Sequence, residues 1–217
     1  MRRQDISKTE AERLASLAEA AKYAAETKLL GEQYLTELEG RIARESYSRA
    51  RRIYDFVGDV EEVPVKDAVD ELNDWAMRNK DPITIRLNSP GGTVFDGFAL
   101  YDFVSLLRKE HGIHVTVHAM GHAASMASVL LQAGDTRLIS KNSWFMVHEP
   151  ASLALGKASA IKDEARLLER IHKQMVGILA ERSSLSVVQI RKRCERKDWW
   201  LDAGEAVKFG FADRIAP

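Results

Sequence analysis

The sequence predicts an α/β fold: a mainly parallel sheet flanked by helices, with a helical extension in front of it. Over residues 52–215, short runs of period two rich in β-branched and aromatic side chains alternate with runs of helical period, the pattern of β-α-β units. A glycine-rich turn interrupts that pattern at Asn88-Ser89-Pro90-Gly91-Gly92. Residues 7–49 differ in kind, being rich in Ala, Glu, Lys, Arg and Leu without a proline. With 217 residues and 45% hydrophobic content, the chain is long enough for one well-buried domain plus an appendage.

The elements follow in order. Ser7-Lys8-Thr9-Glu10 has the form of a capping box, and Leu14, Leu17, Ala21 and Ala24 continue it at three-four spacing. Gly31 and Gly40 are expected to break or kink this helix, leaving Tyr34, Leu35, Leu38 and Ile42 as a second apolar face. The arm is read as residues 1–50 and the main domain as 51–217. Residues 52–58 read as the first strand, 65–78 as a helix closed by Asp81-Pro82, and Ile83, Ile85 and Leu87 as inward positions of a second strand. A helix over 95–110 is built on Phe98, Tyr101, Val104 and Leu107. Residues 113–120 alternate as a third strand, and a short buried helix after Ser125 stops at Gly134. Strands at 137–140 and 144–147 come next, with crossovers expected to be parallel and right-handed. A long helix over about 157–182 carries Ile161, Ala165, Leu168, Ile171, Met175, Ile178 and Leu179 on one stripe, long enough to reach beyond the body toward oligomer contacts. Then Ser186 starts a shorter helix, 198–201 is extended, 202–209 is helical up to Gly210, and 211–215 reads as a last strand.

Composition narrows the function. Lys plus Arg and Asp plus Glu both number 32, so no global charge recruits nucleic acid or an anionic membrane. The single cysteine, Cys194, excludes an internal disulfide and a cysteine-rich metal site, which fits a reducing compartment. Residues 1–20 lack the apolar run of a signal peptide and no segment has the length of a membrane span, so a soluble, cytoplasmic protein is expected.

The chemistry centres on Ser125, crowded by small residues in Gly121-His122-Ala123-Ala124-Ser125-Met126-Ala127-Ser128 where a strand hands over to a helix. A serine there serves either as an N-cap or as a nucleophile beside outward-pointing N–H groups. Nucleophilic serine needs a base, a carboxylate to orient it and donors for the oxyanion. His148 closes the 144–147 strand, Asp198 stands between a charged run and Trp199-Trp200, and Gly91 and Gly92 allow close backbone approach. The backbone N–H groups of Gly92 and Met126 are the candidate oxyanion donors. Each residue also has a plain structural reading: His148 as a surface or packing histidine, Asp198 as a helix-end or ion-pair aspartate.

Together these residues resemble the ClpP family, the proteolytic subunit of the Clp protease, with its ClpP/crotonase-type β-α-β superhelical fold. The resemblance is carried by residues 88–92, by Met120 to Ala127, by Asn142-Ser143 with Met146-Val147-His148-Glu149-Pro150, and by Glu195-Arg196, Asp198 and the 201–207 stretch through Gly210 and Asp213. It implies a Ser125–His148–Asp198 triad, a Gly92 and Met126 oxyanion hole, and no metal or organic cofactor. It also implies substrate contact at Gly91 and at Gly156, the one glycine in a segment where the family pairs a strand with extended polypeptide. A homo-oligomeric ring, heptameric or of stacked heptamers, is expected, with 157–182 as its handle helix. Three departures stand out: Lys197 is inserted ahead of Asp198, glycines are few after Pro150, and about fifty helical residues precede the body. Val94-Phe95-Asp96-Gly97 is closer to the ClpP-like proteases of phages and prophages, which process capsid or scaffold proteins. The expectation is therefore a serine endopeptidase whose partner is an AAA+ unfoldase or a capsid or scaffold protein. The alternatives are a crotonase-like acyl-CoA enzyme and a catalytically silent structural shell.

Overall fold

The computed structural model describes residues 25–40 and 50–216, together with 16, 17, 19, 22, 23 and 46. By internal packing the chain divides into two units, Met1–Ala50 and Arg51–Pro217. In the first unit, residues 25–40 are helical without interruption, so Gly31 does not break the helix as expected, while the stretch after Gly40 lies outside the described residues. A single glycine costs about 1 kcal/mol against alanine, too little to stop a helix whose other residues favour it. The ion pairs Lys22–Glu26 and Lys28–Glu32, at i,i+4, add to that preference. Leu17, Leu30, Tyr34 and Leu35 are exposed within this unit. The capping box at Ser7 and the apolar positions Leu14, Ala21, Ala24 and Ile42 lie outside the described residues.

The second unit runs β1 (Ile53–Val57), α1 (Glu62–Arg78), β2 (Ile83–Ser89), α2 (Val94–Lys109), β3 (Val115–Ala124), α3 (Met126–Leu131), β4 (Thr136–Ser140), β5 (Trp144–Val147), α4 (Ala158–Glu181), α5 (Val187–Cys194), β6 (Trp199–Leu201), α6 (Ala203–Lys208) and β7 (Arg214–Ala216). Strands β1-β2-β3-β4-β7 form a parallel path, and β5 pairs with β3 in parallel. Alternation works as the period-two pattern requires: Ile83, Ile85, Leu87 and Ser89 are buried while the residues between them are half-buried. α2 is turned by about one residue from expectation, burying Gly97, Leu100, Val104 and Leu107, with Phe98 and Tyr101 only partly covered. The sheet accepts the smaller side of this helix because Gly97 lets it settle against α3, as described below.

β3 is the strand that organises the site. It extends four residues past the expected end at Met120, and its two halves have different neighbours: residues 116–119 pair with β4, and residues 122–124 pair with β5. The change occurs where the β2–β3 register shifts between Leu87 and Ser89. The Asn88 Oδ1 accepts the His122 N–H there, and the Ser143 Oγ accepts the Gly121 N–H. Side chains thus satisfy the backbone groups the irregularity would otherwise orphan.

β6, read from the sequence only as extended, pairs antiparallel with β5 in an otherwise parallel sheet. α4 and α5 are joined by a short connection and pack on one another, so the chain returns to the end of β5 that it left. α4 buries Ile171, His172, Met175, Val176 and Leu179, all in its second half, while Ile161 and Leu167 are exposed in the first. The two C-terminal helices start with full capping boxes, Ser186 with Gln189 and Asp202 with Glu205. Residues 211–213 are not strand: Phe211 instead stacks on Phe145 with ring centroids 4.9 Å apart, tying the chain end to β5.

A polar cluster locks the same region. The Arg137 guanidinium, almost fully buried, donates to Asp213, to Gln132 Oε1 and to the Gly210 carbonyl. Arg182 donates to the Gly134 and Asp135 carbonyls, and Arg108 to Asp135 and the Ala133 carbonyl. Among the described residues, no helix is long and apolar enough to cross a membrane.

Candidate active site

Ser125 is the junction of β3 and α3, and it is one of the few non-glycine residues with positive φ, at φ 54 and ψ −123. Such a backbone costs on the order of 1–3 kcal/mol and persists only where neighbours over-determine it. They do so here. Its N–H donates to the Met146 carbonyl of β5 at 3.0 Å, and its own carbonyl accepts from Ser128. Its hydroxyl makes no capping bond to α3, which excludes the plain N-cap reading. The hydroxyl instead meets His148 Nε2 at 2.6 Å.

His148 follows β5 directly, so the same strand that holds the Ser125 N–H carries the imidazole to it. On the far side of the ring, Nδ1 stands 3.5 Å from Asp198 Oδ1. Asp198 is the more open partner, with its side chain 57% exposed against 30% for His148. Its position is set from both sides. The Arg193 guanidinium lies over the Trp199 ring at 5.1 Å, and Trp199 packs edge-on against Phe209 and Phe211. The connection ahead of Asp198 turns at Arg196, whose φ is +58 and whose N–H is held by Glu149 Oε2 at 3.0 Å. Glu149 neighbours His148 in sequence, so this turn is fastened to the segment that carries the imidazole.

The glycine turn faces the junction. Gly91, at φ +95, lies so close that a Cβ there would stand 2.6 Å from Ser125 Cβ and 2.8 Å from Met126 N. Only glycine leaves that space open. Gly92 pairs with Val60 as an isolated bridge, in which the Gly91 carbonyl accepts the Val60 N–H and the Thr93 N–H donates to the Val60 carbonyl. None of these bonds uses the Gly92 N–H, and Gly92 is exposed. Met126, as the first residue of α3, has no intrahelical acceptor for its own N–H. Its side chain is fully buried under α2, filling the space a Cβ on Gly97 would need, 2.2 Å from Met126 Cγ. Gly156 is not part of this cluster: it lies in the exposed irregular segment leading to α4, with no strand there and nothing within 4 Å of where its Cβ would be.

The arrangement brings together a hydroxyl, an imidazole, a carboxylate and unbonded backbone N–H groups, the parts of nucleophilic acyl transfer. Among the described residues, no group of three or more His, Cys, Asp or Glu side chains converges as a metal site would. The sequence reading did not single out Ser128, Gly97 or Arg193. The first is visible as a polar residue three positions after the candidate nucleophile in an otherwise apolar helix, but the other two are invisible without the partners that the fold supplies.

Comparison with known proteins matches residues 40–217 to the family described as Clp protease. The ATP-dependent Clp protease proteolytic subunit of Porphyromonas gingivalis is 39% identical over 144 residues, which cover 65% of this chain and 62% of that protein. The ATP-dependent Clp protease proteolytic subunit 3 of Rhodococcus jostii is 37% identical over 163 residues, covering 74% of this chain and 78% of that protein. The corresponding subunit of Carsonella ruddii is 32% identical over 166 residues, covering 76% and 83%.

Proposed function

The chain belongs to the Clp protease family, and on that premise we propose that it is a serine endopeptidase in which Ser125, His148 and Asp198 form the triad. The 2.6 Å contact between the Ser125 hydroxyl and His148 Nε2, with Asp198 behind the ring, carries this reading. His148 Nε2 takes the hydroxyl proton as Ser125 Oγ attacks the scissile carbonyl. The Gly92 and Met126 N–H groups receive the oxyanion, and His148 returns the proton to the leaving amine. Asp198 holds Nδ1 protonated and supports the imidazolium. Gly91 keeps the cleft in front of Ser125 open to the polypeptide, and Gly156 belongs to the segment along which the substrate lies.

A fluorophosphonate probe and a fluorogenic peptide test this directly. The folded wild type is expected to label at one site and to hydrolyse the peptide, whereas Ser125→Ala is expected to do neither. A folded wild type that stays unlabelled overturns the peptidase reading in favour of a silent shell or an acyl-CoA enzyme.

The relatives are named as proteolytic subunits of an ATP-dependent protease, which supports a subunit of a larger assembly that works with an ATPase. We take that assembly to be a homo-oligomeric ring, heptameric or of stacked heptamers, acting on polypeptides with an AAA+ unfoldase in the cytoplasm. Ile161 and Leu167, exposed on α4, would be covered in such an assembly. Residues 1–39 precede the stretch that matches the family, which favours a separate role for the 1–50 arm, such as binding a capsid or scaffold protein. Removing residues 1–50 is expected to leave labelling of Ser125 intact while changing the sedimentation coefficient of the assembly or its partner binding. An unfolded truncate would make the arm part of the core.

A further inference from the structure

We propose that Ser128 is a positioning residue: its buried hydroxyl orients the peptide plane that joins Ser125 to Met126. The inference rests on the peptidase reading above and adds to it a part that the triad does not contain. The Ser125 carbonyl accepts two bonds from this one residue, from the Ser128 N–H at 3.0 Å and from the Ser128 Oγ–H at 2.6 Å. The first belongs to any helix start. The second exists only because residue 128 carries a hydroxyl.

Ser128 is 1% exposed and surrounded in α3 by Ala127, Val129, Leu130 and Leu131, a setting in which a hydroxyl is unfavourable without a partner. Its donor goes to the Ser125 carbonyl. The peptide unit is planar, so the carbonyl of Ser125 and the N–H of Met126 turn together. Holding the first therefore aims the second, and Met126 N–H is the proposed oxyanion donor. The same plane fixes ψ of Ser125, a residue whose left-handed φ leaves its conformation dependent on outside bonds.

Ser128 is itself anchored. Its carbonyl accepts from Gln132 Nε2 at 3.1 Å, and that amide also donates to the Phe211 carbonyl at 3.2 Å. The Gln132 Oε1 accepts from Arg137 Nη1 at 2.7 Å, and Arg137 is paired with Asp213. A buried chain of polar groups thus runs from the C-terminal segment to the carbonyl of the candidate nucleophile.

The test compares wild type, Ser128→Ala and Ser128→Cys, the last close to serine in shape but a weak donor. Steady-state peptide hydrolysis, the rate and final stoichiometry of fluorophosphonate labelling, and the affinity of a peptide boronate against the same peptide lacking boron are measured. Loss of an oxyanion donor outright lowers kcat by 10²–10³, so loosening one is expected to lower kcat by about tenfold to a hundredfold, with KM little changed. Labelling should still reach one probe per chain, only more slowly. Boronate affinity should fall by a factor similar to kcat while the plain peptide binds as before. Ser128→Cys should show the same kcat-limited loss to a smaller degree. A wild-type kcat in either folded variant overturns the proposal, as does a loss explained by fewer labelled chains at an unchanged rate, which is the mark of a purely structural role. An unlabelled wild type overturns the peptidase reading together with this one, whereas a labelled wild type with an unaffected Ser128→Ala overturns only the role of Ser128.

Discussion

Replacing His148 with alanine is expected to lower kcat for peptide hydrolysis by roughly a millionfold and replacing Asp198 with alanine by about ten-thousandfold, the scale found for serine triads. The gap follows from geometry. His148 Nε2 is in hydrogen-bond contact with the Ser125 hydroxyl at 2.6 Å, which places it to take that proton. Asp198 sits 3.5 Å from Nδ1 with more than half of its side chain in solvent, where water shares the work of orienting the ring. Combining either change with Ser125→Ala should add little, since in the proposed triad the three act as one unit. Steady-state assays with a fluorogenic peptide measure each step. An Asp198→Ala enzyme at the wild-type rate would remove that residue from the triad.

The second large effect is on stability. Asp213→Ala is expected to lower the unfolding free energy by about 3 kcal/mol, because it leaves the Arg137 guanidinium, only 4% exposed, without its carboxylate partner. The lower end of the usual range applies since Asp213 is itself 34% exposed. Burial alone would raise the Asp213 pKa, but the hydrogen bonds from Arg137 outweigh it and hold the carboxyl below the ordinary aspartate value. Asp135 behaves alike: burial pushes its pKa upward, and the Val115 N–H together with Arg108 more than reverses it. For a depressed carboxylate, the stabilisation is complete above the unfolded pKa and is lost as pH falls through the folded one, because the unfolded chain takes up the proton first. Wild type should therefore lose stability below about pH 4. Asp213→Ala should start lower at neutral pH and decline less steeply toward acid. Urea melts at pH 7 and pH 3 measure both terms. Equal stability of the two proteins at pH 7 would show that the Gly210 carbonyl and Gln132 suffice for Arg137.

Much of the fold was legible because its signals are local. The alternation of Ile83, Ile85 and Leu87, the spacing of Val65, Ala68, Leu72 and Trp75, and the start of a helix at Ser186 each depend on residues within a turn or two of one another. Where the competing terms are local but weak, reading the sequence failed, as at Gly31, where the cost of one glycine is smaller than the helical preference around it. The rotation of α2 and the antiparallel course of β6 were not legible, since each is decided by what packs against the element from far along the chain.

The candidate site divides in the same way. Its residue types and their order, from the glycine turn through Ser125 and His148 to Asp198, are properties of the sequence, because the chemistry of a serine nucleophile restricts which side chains can serve. That His148 reaches the hydroxyl, that Asp198 stays half in solvent, that Gly156 stands outside the cluster and that Ser128 holds the Ser125 carbonyl were decided only by tertiary structure. Distances between residues tens of positions apart depend on how strands register and helices seat, and those are set by the whole buried interior rather than by any stretch of chain.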